Sequence, residues 1–141
     1  MNNKPKPNWY PIKNMPMIAS LIDGQLADLK DQYASLLEAR PKPHVLTDAI
    51  VQRVTRVYTE QFDFAWVFEE QLSKWEKEER LVPTQQKEIE RLQVQVQGIR
   101  KFLVDILDLA EELKMGTIEK VMAKSDFELG MEYFKRKESE T

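Results

Sequence analysis

The sequence predicts an all-α protein, an elongated antiparallel three-helix bundle with a short C-terminal helical cap and an extended N-terminal arm. Three observations predict this fold. The 141-residue chain is rich in Glu, Lys, Gln, Leu and Ala and contains only 4 glycines. Apolar residues recur with alternating steps of three and four in three long segments. Short connections that contain proline separate these segments, so consecutive helices are expected to run antiparallel.

The first predicted helix lies within "MPMIASLIDGQLADLKDQYASLLEAR". Its apolar residues follow steps of four and three, which place them on one helix face. Pro41 ends the helix, because a proline cannot continue the hydrogen-bond ladder. Gly24 is predicted to face outward, as is Gly98 in the third helix. The predicted buried row is Met15, Ala19, Ile22, Leu26, Leu29, Tyr33 and Leu36.

The second predicted helix lies within "TDAIVQRVTRVYTEQFDFAWVFEEQLSKWEKEE", and Thr47 is its predicted N-cap. This segment carries two apolar rows, so the helix is expected to touch two neighbouring helices. The main row is Val51, Val54, Tyr58, Gln61, Ala65, Phe68, Leu72 and Trp75. The second row, whose members are seven positions apart, is Ile50, Val57 and Phe64.

The third segment contains "RLQVQVQGIR", whose alternating Gln and Val residues have the period of a strand. A longer helical pattern includes this stretch, so we predict a helix in which Val96 is buried and Val94 faces away. Thr84 is its predicted N-cap, and Gly116 is predicted to end it in the left-handed conformation. The predicted buried row is Leu92, Val96, Ile99, Leu103, Ile106, Ala110 and Leu113.

The two halves of this third helix have different flanking residues. Polar residues such as Gln93 and Gln95 flank the first half, so we expect it to protrude or to pair with one helix only. Additional apolar residues occur in the second half, which we expect the last segment of the chain to enclose. That segment has Thr117 as a predicted cap and a capping box formed by Ser125 and Glu128. The last segment is therefore predicted to form two short helices.

The predicted organisation is an extended proline-rich arm over residues 1–15, a single helical domain over residues 16–136 and a mobile tail over residues 137–141. The net charge of −3 and the pI near 5.3 do not favour a nucleic-acid partner. No run of about 18 apolar residues occurs, so we expect a cytoplasmic protein with no membrane partner.

Catalytic groups are scarce in this sequence. The chain has no cysteine and one histidine, His44, which excludes thiolate zinc sites and suggests no nucleophile–base pair. Its glycines are isolated, so no phosphate-binding loop is predicted. We therefore expect a protein that is not an enzyme and that uses no cofactor.

One enzymatic alternative rests on carboxylates that two helices could offer to magnesium, namely Glu69, Glu70, Asp105 and Asp108. Their spacing partly resembles the E-E-x-x-E and E-x-x-D patterns of all-α nucleoside triphosphate pyrophosphatases. Ser73 stands where the third glutamate of the first pattern would be, and Asp105 replaces a glutamate in the second. The resemblance implies a magnesium-dependent nucleotide phosphohydrolase.

Aromatic residues outside the predicted core indicate a binding function. Phe62, Trp66 and Val67 lie on the second helix away from its main row, and Trp9 and Tyr10 lie in the arm. Exposed aromatic residues are typical of protein-binding surfaces. We therefore predict a non-enzymatic protein-interaction module, an adaptor or regulator that binds a protein partner through these five residues.

Two alternatives to this prediction stay open. The arm or the terminal helix could fold over Phe62 and Trp66 and bury them within one chain. The protein could also be a structural one that self-associates as a homodimer through the glutamine-flanked half of the third helix.

Overall fold

A computed structural model describes residues 7–78, 80–123 and 126–140, without the side chains of residues 126, 127, 139 and 140. Within these ranges all regular secondary structure is helical, and no strand occurs. The predicted all-α class is confirmed. Residues 1–6 of the predicted arm, Ser125 of the predicted capping box and residue 141 of the predicted tail lie outside the described residues.

The described ranges contain five α-helices, and two short 3-10 helices precede the first two of them. The 3-10 helices are Ile12–Asn14 and Pro43–Val45. The α-helices are α1 (Met15–Glu38), α2 (Asp48–Glu78), α3 (Pro83–Lys114), α4 (Ile118–Met122) and α5 (Asp126–Glu140). Helix α5 therefore extends beyond residue 136, where the helical domain was predicted to end.

The core forms where α1 and α2 each pack against α3. The predicted row of α3 is fully buried, from Leu92 to Leu113, and Ile89 extends it by one turn. Val96 exposes 1% of its surface and Val94 exposes 69%, so the predicted helical period is confirmed. The row of α1 is buried from Met15 to Leu29 and half-buried beyond that point.

Side-chain contacts give the direction of each helix. Along α1 and α3 the residue numbers rise together, since Asp23 pairs with Arg91 and Arg40 pairs with Glu112. Along α2 and α3 they run in opposite order, since Gln93 bonds to Glu76 and Arg100 pairs with Glu69. Helix α2 therefore runs opposite to both α1 and α3.

The first half of α3 is enclosed rather than protruding, which corrects the prediction. Gln95 donates a hydrogen bond to Asp23 of α1, and Gln93 donates one to Glu76 of α2. These glutamines bridge to carboxylates on both neighbours, so a polar flank here marks a helix–helix contact and not an open edge.

The described side chains of the last segment do not enclose the second half of α3, which is a second correction. Leu109 and Leu113 pack instead with Ala39 at the end of α1, beside Leu46 of the α1–α2 connection. None of the α5 side chains that the structure describes is buried. The α1–α2 connection reaches this part of α3 because α1 and α3 end at the same side of the core.

Two of the predicted helix ends are correct. Thr47 accepts a hydrogen bond from the Ile50 N–H through its hydroxyl, at 3.1 Å, and so caps α2. Helix α1 ends at Glu38, ahead of Pro41. Thr117 stands just before α4 as predicted, but its buried hydroxyl donates to Asp48 of α2 instead of capping the helix.

The predicted start of α3, the predicted left-handed conformation of Gly116 and the predicted outward position of Gly98 are wrong. The helix begins at Pro83, and the Gln85 side chain, not Thr84, accepts a hydrogen bond from the Val82 N–H. Gly116 does not have a positive φ. Gly98 does not face outward, because a Cβ there would lie 3.3 Å from the Leu26 side chain of α1.

Candidate functional site

The N-terminal arm is attached to the C-terminal half of α2 through the backbone of Tyr10. The Tyr10 N–H donates to Gln71 Oε1 at 2.8 Å, and the Gln71 side-chain amide donates to the Tyr10 carbonyl at 3.3 Å. The indole of Trp75 donates to the same carbonyl at 2.8 Å. Gln71 and Trp75 are both buried, one turn apart on α2, so three hydrogen bonds fix the arm at this point.

The two arm aromatics stay partly in solvent at this attachment point. The ring of Trp9 packs edge-on against Trp66, with centroids 6.3 Å apart, and the Lys74 ammonium lies 5.2 Å from the Trp9 centroid. Trp9 and Tyr10 each expose 39% of their surface. The arm therefore runs along α2 from Trp75 to Trp66, and its two aromatic side chains are partly exposed to solvent.

The α2 residues predicted to be exposed are instead half-buried, which corrects that part of the prediction. Trp66 lies against Trp9, and Val67 is the next residue along the helix. Phe62 packs against the core, with the Arg100 guanidinium 5.2 Å from its ring centroid. We call the five predicted binding residues the arm–α2 surface, which comprises Trp9, Tyr10, Phe62, Trp66 and Val67.

A groove of about 690 Å³ separates α1 from α2 on the side away from α3. One hydrogen bond crosses it, from Gln25 of α1 to Gln61 of α2, at 3.1 Å. Partial burial and the nearby Asp28 carboxylate raise the pKa of Tyr58 in its wall. Its lining includes Leu21, Gly24, Gln25, Asp28, Tyr58 and Phe68.

Part of the second apolar row of α2 lies next to this groove, and two residues of the row are exposed, although the sequence predicted a second neighbouring helix there. Phe64 exposes 52% of its surface and Ile50 exposes 46%. Phe64 and Val57 line a second hollow of about 350 Å³ that shares Phe68 with the groove. The apolar row can be identified from the sequence. The sequence does not show that no described helix covers this side of α2.

The carboxylates of the enzymatic alternative do not form a cluster. Glu69 accepts a hydrogen bond from Arg100, and Asp105 accepts one from Lys101. In the part of the chain that the structure describes, no three His, Cys, Asp or Glu side chains are grouped so that they could hold a metal ion.

Two carboxylates join distant parts of the chain. Hydrogen bonds from Arg91 and then Gln95 hold the pKa of Asp23 below its ordinary value and tie α1 to α3. The hydrogen bond from Thr117, with a smaller effect of Lys120, lowers the pKa of Asp48 and ties the start of α2 to α4. Both carboxylates therefore link segments that are distant in the sequence.

No protein-family model, curated protein or solved structure matches this chain. In the described ranges, none of the helices has an apolar stretch of the length and hydropathy that crossing a bilayer requires.

Proposed function

We propose that this chain is a non-enzymatic, cytoplasmic protein-interaction module, an adaptor or regulator that binds a protein partner through the arm–α2 surface. The observation that carries the proposal is the way Trp9 and Tyr10 are held. Each exposes 39% of its surface, while hydrogen bonds to Gln71 and Trp75 fix the backbone of Tyr10. Aromatic groups that are already fixed lose little freedom on binding, which favours their use as anchors.

The scaffold that we propose for this surface is an elongated antiparallel three-helix bundle with a C-terminal helical cap and an N-terminal arm. The opposite direction of α2 relative to α1 and α3 supports the bundle. A hydrogen bond of 2.9 Å from the Ile118 N–H to the Leu46 carbonyl supports α4 as the cap. In this arrangement Trp66 packs against Trp9, and Phe62 packs against the core one turn earlier along α2.

The first test is affinity capture with the tagged protein and with a Trp9→Ala, Tyr10→Ala variant. Both side chains are partly exposed, so the variant is expected to fold. We expect a partner that the wild type retains and the variant loses. Val94→Ala, at an exposed position of α3, is the matched control and should retain it. A partner held equally by all three proteins would show that binding uses another surface.

The second test separates the aromatic rings from their positioning. Gln71→Leu keeps both arm aromatics but removes the side chain that pairs with the Tyr10 backbone. With the purified partner, we expect this variant to bind about tenfold more weakly, because the arm is no longer held in place. Gln93→Leu, which removes an exposed hydrogen bond to Glu76, is the control and should bind as the wild type does. Unchanged affinity in the Gln71 variant would contradict a role for the docked arm.

A further inference from the structure

The groove between α1 and α2 is an open apolar surface of the helical core. Both helices pack against α3, but no described helix covers the groove that lies between them. Leu21 of α1, in the groove, exposes 53% of its surface, and Phe64 of α2, in the adjoining hollow, exposes 52%. An apolar groove between two helices is the kind of surface into which an amphipathic helix docks.

Gly24 lines this groove in the middle of α1. None of the described residues requires a glycine there, because its φ is not positive and a Cβ would meet nothing within 4 Å. A glycine inside a helix makes that helix less stable than an alanine would. The bare backbone at Gly24 therefore has no use within the described chain, but it gives a bound segment room to come close to α1.

The other glycine of the helical core shows what such a position does when a neighbour is present. At Gly98 of α3 an added Cβ would lie 3.3 Å from the side chain of Leu26. That glycine lets α1 and α3 pack closely. Gly24 lies on another side of the same helix α1 and faces the open groove instead of a neighbouring helix.

The charged residues that line the groove and its adjoining hollow are all acidic. They are Asp28 and Asp31 on α1 and Glu60 on α2. None of the three takes part in an ion pair that the structure describes. An apolar groove with an acidic border favours a partner that brings basic residues, and it disfavours an acidic one.

The chain itself does not supply a helix of that charge. Its net charge is −3. Helix α5, which has an exposed apolar face, contains more acidic than basic residues. The acidic ones are Asp126, Glu128, Glu132, Glu138 and Glu140, and the basic ones are Lys135, Arg136 and Lys137. The charge of the groove therefore favours a helix of another protein over α5 of this chain or of a second copy.

We propose that the α1–α2 groove binds an amphipathic helix of another protein, with basic residues on both flanks of its apolar stripe. The stripe packs between Leu21 and Phe64 and comes closest to α1 at Gly24. Residues Ser20 to Gln32 of α1 line the groove over about 18 Å, so about 12 residues of the bound helix fill it. This site goes beyond the proposed function, because it uses none of the residues of the arm–α2 surface.

The first experiment titrates the full chain into three labelled synthetic peptides of equal length and follows fluorescence anisotropy. The first peptide has a leucine stripe with lysine and arginine on its flanks, the second has the same stripe with glutamate flanks, and the third is a scrambled form of the first. We expect the first to bind at least tenfold more tightly than the other two. Its advantage over the glutamate peptide should fall as salt is added.

The second experiment uses Gly24→Leu, which fills the groove without removing any contact of the free chain. Leucine is a good helix former, so Tm should be unchanged or higher. Binding of the basic amphipathic peptide should weaken at least tenfold. Gly130→Leu is the matched control, because a Cβ there also meets nothing within 4 Å, and it should bind as the wild type does. Asp28→Lys with Asp31→Lys should reverse the preference between the basic and the glutamate peptides.

Four results would overturn the proposal. The basic amphipathic peptide could fail to bind, or bind no better than its scrambled form. Folded Gly24→Leu could bind that peptide as tightly as the wild type does. Light scattering without peptide could show a dimer that Gly24→Leu disrupts, which would make a second copy the occupant. Crosslinks could join α5 to the groove of its own chain in the monomer, which would make α5 the occupant.

Discussion

At position 116 the chain has glycine where the Pro43 ring lies against the backbone. A Cβ there would be 2.5 Å from Cγ and 3.0 Å from Cβ of that proline, so the close approach, not the backbone angles, requires glycine.

Two buried polar residues also have specific structural roles. The buried side chains of Gln71 and Thr117 each bond to a distant segment, the arm in one case and the start of α2 in the other.

Two glycine substitutions should have opposite effects on stability. Gly24→Ala is expected to raise the free energy of unfolding by about 0.5–1 kcal/mol, because alanine favours the helix and a Cβ there meets nothing within 4 Å. Gly116→Ala should lower it by about 1–3 kcal/mol, because the added Cβ overlaps the Pro43 ring. Urea unfolding followed by circular dichroism measures both. A change of the same sign in the two variants would contradict these roles.

Asp23 and Asp48 should make the protein less stable in acid. Their folded-state pKa values are lowered, so each charged carboxylate stabilises the fold above the unfolded-state pKa. That contribution is lost as the pH falls below about 4, through the folded-state pKa. Urea unfolding at a series of pH values should show a smaller loss in the Asp23→Asn, Asp48→Asn double variant than in the wild type. Parallel pH profiles for the two proteins would refute the assignment.

Helix α3 is the element on which the other two long helices pack. Its row of apolar residues is buried over its length, and glutamines on its flanks bond to both neighbours. Helix α2 differs, because its main row meets α3 while Ile50 and Phe64 of its second row stay exposed. An apolar row therefore indicates which side of a helix can pack, and the neighbouring elements decide whether it does.

The two valines of the strand-like stretch test the helical period directly. In a strand, Val94 and Val96 would lie on the same face and be buried or exposed together. In α3, Val96→Ala should lower the free energy of unfolding by about 2–3 kcal/mol, because that side chain is fully buried. Val94→Ala should change it by less than about 0.5 kcal/mol. Equal losses in chemical denaturation would argue against this packing of α3.

Across the whole molecule, the core and the surfaces proposed for binding use different parts of the chain. The core is supplied by α1, α2 and α3, while the described side chains of α5 remain outside it. The arm–α2 surface lies over the C-terminal half of α2. The groove lies between α1 and α2.

Removal of α5 should leave the core folded. A chain that ends at residue 123 loses none of the described buried residues, so at low protein concentration its Tm should lie within about 4 °C of the full-length value. Scanning calorimetry of the two chains measures the difference in Tm. Loss of cooperative unfolding would mean that α5 belongs to the core.

The sequence by itself determined the helical class, the approximate extent of the three long helices and the faces they bury. The spacing of apolar residues is a local property, which is why the rows of α1 and α3 could be predicted residue by residue. The five residues of the arm–α2 surface were proposed from the sequence, which did not show that Trp9 packs against Trp66.

Only the tertiary structure decided which predicted surfaces are covered. Burial of Trp66 depends on an arm more than fifty residues away in the sequence, and the cover over Leu109 depends on the α1–α2 connection. Phe64 and the α5 face stay open because no other described part of the chain packs over them. These outcomes depend on contacts between distant segments, which the periodicity of a single segment does not encode.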